Sequence, residues 1–279
     1  MNTQARLPVL FVSHGSPMFA LDPGATGPAL RAWGAQLQKG TQPPVRAVLV
    51  MSPHWVARTP VVMAHSNPET WHDFGGFPQP LYQLQYPAPG EPQLAAQVVA
   101  LLQKAGIATG TDPKRPFDHG AWVPLMHILP NADVPVVQLA LPLGYSTRQL
   151  YALGQALQSL RDQGVLIVAS GSMTHNLHEF FNGRPDQNSG AEAYVEAFSR
   201  WVEDALVKRD FNTLMDYRAQ APAAVRAHPT DEHFLPLYFA LGAAGWANPE
   251  ALNDQTVSVE YLSREVMYRY LAMDAIVFH

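Results

Sequence analysis

Short apolar runs recur along the chain at lengths typical of β-strands. They are rich in valine, isoleucine and leucine and lack the polar alternation of a half-exposed sheet, which indicates strands buried on both faces. The predicted strands are residues 8–12, 47–51, 60–63, 135–141, 165–170, 257–261 and 266–271. Residues 275–278 form a further apolar run of strand length.

Between these runs, apolar residues recur at spacings of three and four, which predicts amphipathic helices. The predicted helices are residues 91–104, 147–161, 191–208 and 231–241. Strands that alternate with helices predict an α/β fold around a largely buried sheet. No repeat and no linker rich in serine or glycine divides the sequence, so we expect residues 1–279 to form one domain.

Residues 67–89 differ from the rest of the chain, because they are dense in proline, glycine and aromatic residues and have little periodicity. This composition predicts a long ordered loop. Loops of more than about 12–15 residues inside compact domains are usually functional and often cover a site. A surface loop anchored by its aromatic side chains would leave the same pattern, so both interpretations stay open.

Composition excludes several classes of protein. Of the 279 residues 47% are hydrophobic and 15% are charged, which is too apolar for disorder. The absence of cysteine excludes cysteine-ligated zinc, iron–sulfur clusters and thiol nucleophiles. A net charge of −5 argues against nucleic-acid and anionic membrane partners. No apolar run approaches the roughly 18 residues of a membrane span, and no signal peptide is evident, so we expect a cytoplasmic protein with a small-molecule substrate.

Four of the eleven histidines fall at positions that favour a shared site. His14, His54 and His175 each follow the carboxyl end of a predicted strand. In open α/β sheets ligands bind beyond these ends, so the three imidazoles are expected to meet in one crevice if their strands are neighbours. His233 follows Thr230 and Asp231, either of which could cap a helix whose first turn contains His233.

A single histidine in a loop is more often structural than metal-binding, but three at strand ends favour a metal site. Neutral imidazoles suit zinc and iron. The sequence has no H-E-x-x-H motif, P-loop or dinucleotide fingerprint, so zinc-protease patterns and nucleotide cofactors are not expected. By itself, Asp118-His119-Gly120 is typical of a turn into a helix. The remaining histidines are interpreted as structural, although His178 is close enough in sequence to be a partner of His175.

Several segments together resemble a known family. They are Ser13-His14-Gly15-Ser16-Pro17, Ser52-Pro53-His54-Trp55, Asp73-Phe74-Gly75-Gly76-Phe77-Pro78, Tyr86-Pro87-Ala88-Pro89-Gly90, Asp118-His119-Gly120-Ala121-Trp122-Val123-Pro124-Leu125, Thr174-His175-Asn176-Leu177 and His228-Pro229-Thr230-Asp231-Glu232-His233-Phe234-Leu235-Pro236-Leu237. In this order they resemble the DOPA-dioxygenase branch of the class III extradiol ring-cleavage dioxygenases. The resemblance implies a mixed central sheet and a mononuclear non-haem iron(II) site that cleaves catechols beside the diol.

Transferred residue by residue, the resemblance makes His14, His54 and His233 metal ligands. It makes His175 the acid/base histidine, or a fourth ligand in a substrate-free zinc form, and it places His119 in the catechol pocket. In the wider superfamily the third ligand is often a carboxylate, whereas the matching residue here is His233. Glu232 is adjacent and is expected to face elsewhere. An all-histidine site suits Zn(II) as readily as Fe(II), although Fe(II) is expected for activity.

The expected function is therefore an extradiol dioxygenase that opens a DOPA-like catechol with O₂ to give a muconate semialdehyde. Two alternatives stay open at this point. One is a zinc-dependent hydrolase that uses the same histidines, and the other is an inactive binding protein on the same fold. The sequence identifies neither the catechol nor the oligomeric state.

Overall fold

A computed structural model describes residues 6–40, 43–183, 185–186, 189–247 and 257–279. Within them the strands are β1 (Val9–Ser13), β2 (Ala47–Ala57), β3 (Val61–Met63), β4 (Gly110–Asp112), β5 (Val136–Pro142), β6 (Val165–Gly171), β7 (Val259–Ser263), β8 (Val266–Met267), β9 (Leu271–Ala272) and β10 (Ala275–Phe278). The α-helices are α1 (Thr26–Gly40), α2 (Pro92–Lys104), α3 (His119–Ile128), α4 (Thr147–Gln155), α5 (Leu177–Gly183), α6 (Ala193–Lys208), α7 (Phe211–Met215), α8 (Tyr217–Gln220), α9 (Ala224–Ala227) and α10 (Pro236–Ala244). Short 3₁₀ helices span Pro17–Ala20, Gln79–Gln83 and Gln158–Gln163.

Eight strands form one mixed sheet in the order β4-β3-β5-β2-β6-β1-β10-β7. The central strands β5, β2, β6 and β1 are parallel, whereas β3 is antiparallel to β5, and β10 is antiparallel to both β1 and β7. An apolar core lies on each face of the sheet. The two cores include residues of different helices, so helices cover both faces. The predicted fold class, α/β with a mixed and mostly buried central sheet flanked by helices, is confirmed.

Burial on both faces explains why the strands lack polar alternation. In β1, Val9 and Phe11 face the core formed with α2, α4, α6 and α10, whereas Leu10 and Val12 face the core formed with α1 and α3. All four side chains are fully buried. Because successive side chains of a strand point to opposite faces, a strand between two helical layers must be apolar throughout.

Three predicted elements are wrong in part or whole, and the first two are the strand 266–271 and the helix 147–161. The predicted strand 266–271 is a hairpin in which β8 and β9 pair antiparallel. The chain reverses between them at Tyr268 and Arg269, whose φ angles of 48° and 66° lie in the left-handed region. The predicted helix 147–161 ends as α4 at Gln155 and continues as a 3₁₀ helix. The strand β4 and the helices α1, α5, α7, α8 and α9 have no counterpart among the predicted elements.

The predicted helix 231–241 begins later than expected, at Pro236, and extends to Ala244. Pro236 has no N–H and cannot donate to the carbonyl of Glu232, so the helical ladder is interrupted there. The carbonyl of His233 instead accepts the N–H of Ser172 at 2.7 Å. His233 therefore lies in a turn before α10, and its predicted place in the first turn of a helix is wrong.

Residues 67–89 form the long loop that the sequence predicts, with one 3₁₀ helix at Gln79–Gln83. The loop packs on the core through its polar atoms as well as its rings. The Tyr86 hydroxyl donates to the carbonyl of Leu129 at 3.1 Å, and the indole N–H of Trp122 donates to the carbonyl of Trp71 at 3.0 Å. Among the helices of the described residues, none combines the length and apolarity that a membrane span requires.

Asp274 lies just before β10 and links that strand to β1. Its carbonyl accepts the N–H of Ser13 at 2.9 Å, one residue before His14. Its side chain is almost fully buried, in a cleft that Glu203 and Arg264 also line. Burial raises the pKa of the Asp274 carboxyl to about 7, against the opposing effect of the Arg264 cation.

Candidate metal centre

The carboxyl ends of three adjacent parallel strands bring three of the predicted site histidines together. His14 directly follows β1, and His175 follows β6 after a short connection. His54 lies in β2 itself, where the pairing register with β5 shifts between Ser52 and Val56. Because β6 pairs with β2 on one side and with β1 on the other, the three imidazoles reach the same end of the sheet. The predicted crevice is therefore present.

Two more imidazoles join this cluster from outside the sheet. His119 is the first residue of α3, whose amino end Asp118 caps by accepting the N–H of Ala121. His233 reaches the cluster from the turn before α10. Gly171, at the end of β6, permits this approach, because a Cβ there would lie 2.4 Å from the His233 carbonyl oxygen. A side chain at residue 171 would push the His233 turn away from the sheet.

The distances between rings define a compact group. The His54 ring centroid lies 5.0 Å from that of His14, 3.9 Å from that of His119 and 5.1 Å from that of His233. The Nε2 atoms of His14 and His54 are 3.1 Å apart. The His175 ring stacks on the His233 ring at 3.5 Å with an interplanar angle of 8°. All five predicted site histidines thus lie in one cluster.

Potential ligand atoms form two overlapping sets within this cluster. Ring nitrogens of His14, His54 and His119 all lie within 4.8 Å of one another. Ring nitrogens of His175 and His233 form a second such set with a carboxylate oxygen of Glu232. The His233 ring centroid is 5.4 Å from that of His14, so the two sets share one space.

Hydrogen bonds at Nδ1 orient three of the rings. His14 Nδ1 bonds the Ser170 hydroxyl at 2.9 Å, and His119 Nδ1 bonds Asp73 Oδ1 at the same distance. His233 Nδ1 bonds Glu232 Oε1 at 3.0 Å. These contacts leave Nε2 of each ring for a ligand, the usual arrangement around protein-bound metals. His233 Nε2 is buried without a hydrogen-bond partner, which is the chemistry expected of an atom that binds a metal.

Burial keeps four of the clustered histidines neutral, namely His14, His54, His175 and His233. It lowers the pKa of His54 to about 3 and that of His175 to about 4, and it lowers the pKa of His14 and His233 well below the usual value. For His14, His54 and His233, repulsion between neighbouring imidazoles lowers the pKa further. At neutral pH these rings therefore offer lone pairs rather than charge, as metal binding requires.

Asp73 is the partner of His119 on the loop of residues 67–89. Its Oδ1 accepts both the backbone N–H and the ring Nδ1 of His119, each at 2.9 Å. Burial alone would raise the pKa of Asp73, but the hydrogen bonds from His119 outweigh it and lower the pKa. The carboxylate is thus ionised at neutral pH and fixes the His119 proton on Nδ1.

A buried polar network supports the segment that contains His54. The Asp118 carboxylate accepts from the Ser52 hydroxyl at 2.7 Å, from Arg115 at 3.0 Å and from the Gln138 amide. Arg115 also donates to the His54 carbonyl at 3.1 Å, and Ser52 accepts the His54 N–H at 3.2 Å. The guanidinium lies 4.9 Å from the ring centroid of each of two indoles, those of Trp55 and Trp71. These hydrogen bonds and ring contacts fix the irregular part of β2, which contains His54.

A cavity of about 400 Å³ opens above four of the histidines, namely His54, His119, His175 and His233. Its walls are largely apolar, and the aromatic members are Phe74, Phe77, Phe180, Phe181 and Tyr268. Phe74 and Phe77 come from the loop of residues 67–89, so this loop lines the site, in agreement with the interpretation that it covers one. The Phe74 ring packs edge-on against the His119 ring at 5.6 Å.

Sequence reasoning missed the partners of the histidines and one wall of the cavity. Ser170 has no motif that distinguishes it from other polar residues, and Asp73 begins a segment that carries the family resemblance but nothing in that segment pairs it with His119. Phe180 and Phe181 have the pattern of an ordinary apolar helix face. His178 is not a partner of His175, because it is exposed and bonds Asn182 at 3.0 Å.

Residues 8–267 match the family model described as the catalytic LigB subunit of aromatic ring-opening dioxygenase. The chain belongs to this family. It is 42% identical to a 4,5-DOPA dioxygenase extradiol of Beta vulgaris, over 84% of this chain and 86% of the relative. It is 37% identical to a protein of the same description from Escherichia coli K12, over 92% and 91%. An uncharacterised E. coli K12 protein of solved structure is similar with a TM-score of 0.72 and 27% identity, covering 98% of this chain and all of that one.

This LigB-family protein is thus an extradiol aromatic ring-opening dioxygenase, and it is metal-dependent like the family. The family assignment disfavours the two alternatives that the sequence left open, a zinc hydrolase and an inactive binding protein. Its substrates are a small molecule and O₂.

Proposed function

We propose that the enzyme opens the ring of a catechol with O₂ next to the diol, giving a muconate semialdehyde, and that residues 1–279 form one catalytic domain. The observation that supports this most is the cluster of five imidazoles beneath an aromatic-lined cavity. The relatives named as DOPA dioxygenases support a catechol as the substrate class.

His14, His54 and His233 would hold the metal, which we propose to be iron(II) in the active enzyme. The unpartnered, buried Nε2 of His233 supports its place in this set, because leaving a buried nitrogen without a partner costs free energy. His119 is ascribed to the substrate instead, since Asp73 orients it and it lines the cavity. Bound there, iron(II) would supply two kinds of chemistry, namely Lewis acidity that favours the ionised diol and the ability to transfer electron density to O₂, whereas zinc would supply the Lewis acidity alone.

His175 acts as the base in this proposal. Its ring is neutral at neutral pH and lines the cavity, so a ring nitrogen can accept a phenolic proton from the catechol. The same nitrogen can return the proton later in the reaction. Stacking on His233 fixes the plane of the His175 ring and thus the direction from which it meets the substrate.

His119 positions the catechol. Because ionised Asp73 holds the proton on Nδ1, Nε2 of His119 presents a lone pair that can accept a hydrogen bond from a substrate hydroxyl. Phe74 and Phe77 lie beside it on the loop of residues 67–89 and exclude water from the ring of the bound substrate.

Anaerobic reconstitution with iron(II), followed by air and a panel of catechols, tests the proposal. We expect O₂ uptake and a yellow semialdehyde with iron(II), and neither with zinc. His175→Ala should lower turnover by about 10²–10⁴-fold, the usual contribution of a general base. The matched control is His178→Ala, which removes an exposed histidine whose ring bonds Asn182 and should leave turnover unchanged. No O₂ uptake with any catechol would refute the proposed reaction.

The ligand set is tested separately by metal titration of the metal-free protein. His233→Ala should weaken binding strongly, whereas His119→Ala should retain the metal and raise KM for the catechol. The reverse order would assign the third ligand to His119, and it would leave the reaction itself unaffected.

A further inference from the structure

The cavity has a polar floor and apolar walls. Four histidines form the floor, and the walls include Leu177, Phe180, Phe181, Tyr268 and Leu271. Among the residues that the structure describes, no lysine, arginine, aspartate or glutamate lines this cavity. The substituent of a bound catechol therefore contacts apolar side chains, and no charged side chain of the described residues lies in the lining.

Carboxylates near the cavity already have partners. Asp73 accepts from His119 twice, and Glu232 Oε1 accepts from His233. Asp22 Oδ2 accepts from the Tyr268 hydroxyl at 3.2 Å. An ammonium group on the substrate would compete with these contacts, and a substrate carboxylate would face acidic neighbours without a cation in the described lining.

Helix α5 supplies the apolar wall at the mouth of the cavity. Leu177 is 44% exposed and Phe181 is 68% exposed, and both line the cavity, so they form part of an exposed apolar patch there. Phe180 contacts the Phe181 ring at 5.4 Å and the Tyr268 ring at 5.9 Å, both edge-on. An apolar group bound against this wall would remove its carbon surface from water, which is favourable.

We infer that the preferred substrate is a catechol with an uncharged apolar substituent, an alkyl- or arylcatechol, rather than one with a zwitterionic side chain. This inference rests on the proposed ring-opening function and specifies its substrate. A zwitterionic side chain would lose water on both charges without gaining a partner in the described lining. An alkyl or aryl group loses no such interaction and packs against Phe181 and its neighbours.

Comparison of four catechols tests the inference: 4-propylcatechol, 3,4-dihydroxyphenylpropionate, unsubstituted catechol and DOPA. For the iron-loaded enzyme we expect kcat/KM for 4-propylcatechol to exceed that for DOPA by at least about 10-fold, the scale on which apolar pockets discriminate. Dissociation constants of 4-propylcatechol and DOPA for the zinc-loaded protein should differ in the same direction, and this second readout needs no turnover.

The outcomes separate the two proposals. DOPA bound and cleaved at least as well as 4-propylcatechol would overturn the inference and leave the proposed function standing. No O₂ uptake with any of the four, together with tighter binding of 4-propylcatechol, would overturn the function while supporting the apolar specificity.

Phe181→Arg tests the role of the α5 wall directly. An added cation at the cavity mouth should raise the ratio of kcat/KM for 3,4-dihydroxyphenylpropionate to that for 4-propylcatechol by about 10-fold. Val207→Arg is the matched control, since Val207 is 69% exposed on α6 and does not line the cavity. An unchanged ratio in Phe181→Arg, or an equal change in both variants, would exclude this wall as the determinant of specificity.

Discussion

Gly171→Ala should separate the His233 turn from the sheet without altering any predicted ligand. The new Cβ would lie 2.4 Å from the His233 carbonyl oxygen, whereas ordinary contacts begin at 3.4 Å. β6 cannot yield, because it pairs with β1 on one side and β2 on the other. The turn must therefore move by about 1 Å, a displacement that can lower turnover by about 100-fold at a catalytic site.

The same change should also weaken the hydrogen bond from the Ser172 N–H to that carbonyl, now 2.7 Å. Overpacking of this kind typically destabilises a protein by about 1–3 kcal/mol. The matched control is Gly110→Ala on the edge strand β4, where a Cβ would meet no atom within 4 Å.

Three measurements on both variants check the prediction: thermal unfolding, anaerobic titration with iron(II), and O₂ uptake with a catechol. Weaker metal binding and slower turnover are expected for Gly171→Ala alone. Parental metal affinity and turnover within about twofold in Gly171→Ala would refute the argument from close approach, as would an equal loss in Gly110→Ala.

Three further predictions follow from contacts around the centre. Ser170→Ala removes the hydroxyl that orients His14 and should weaken metal binding by about 10–100-fold, with little change in unfolding temperature, as titration and thermal unfolding would show. Arg115→Met leaves the buried Asp118 carboxylate without its cation and should lower the free energy of unfolding by about 3 kcal/mol in chemical denaturation; parental stability would contradict this. Asp274→Asn should stabilise the protein more at pH 8 than at pH 5, measured by thermal unfolding at both. The pKa of the Asp274 carboxyl is about 7 in the folded protein and 3.8 in the unfolded chain. The contribution of this carboxyl to stability is therefore fully present below about pH 4 and is lost as the pH rises towards 7, whereas asparagine does not titrate. An equal effect at both pH values would refute this.

The strand-borne histidines could be predicted because two signals coincide there. Each apolar run is long enough for a buried strand, and His14 and His54 follow such runs directly. The neighbouring order of β1, β6 and β2 is not encoded locally, but parallel strands present their carboxyl ends on one edge whatever their order. The shared end of the sheet was therefore predictable, whereas the meeting of the three rings also required β1, β6 and β2 to be neighbours, which only the structure shows.

Other features of the site depend on tertiary contacts that leave no local pattern. The Asp73–His119 and Ser170–His14 hydrogen bonds join residues 46 and 156 positions apart. The turn at His233 escaped prediction because its apolar spacing is helical, whereas Pro236 and the bond to Ser172 shift the helix start. Phe181 could not be assigned to the cavity, since an apolar helix face has the same pattern when it packs in a core.

The separation of His14 and Ser170 by 156 residues also bears on how long the molecule survives in a cell. β6 inserts between β1 and β2 although it follows both far along the chain, so the site is complete only when these distant segments have paired. A metal ion therefore binds the folded protein and not the unfolded chain. Its binding shifts the folding equilibrium towards the folded state by mass action. Scarcity of the ion would then shorten the lifetime of the protein through proteolysis of opened chains, and supply of the metal would regulate abundance together with catalysis.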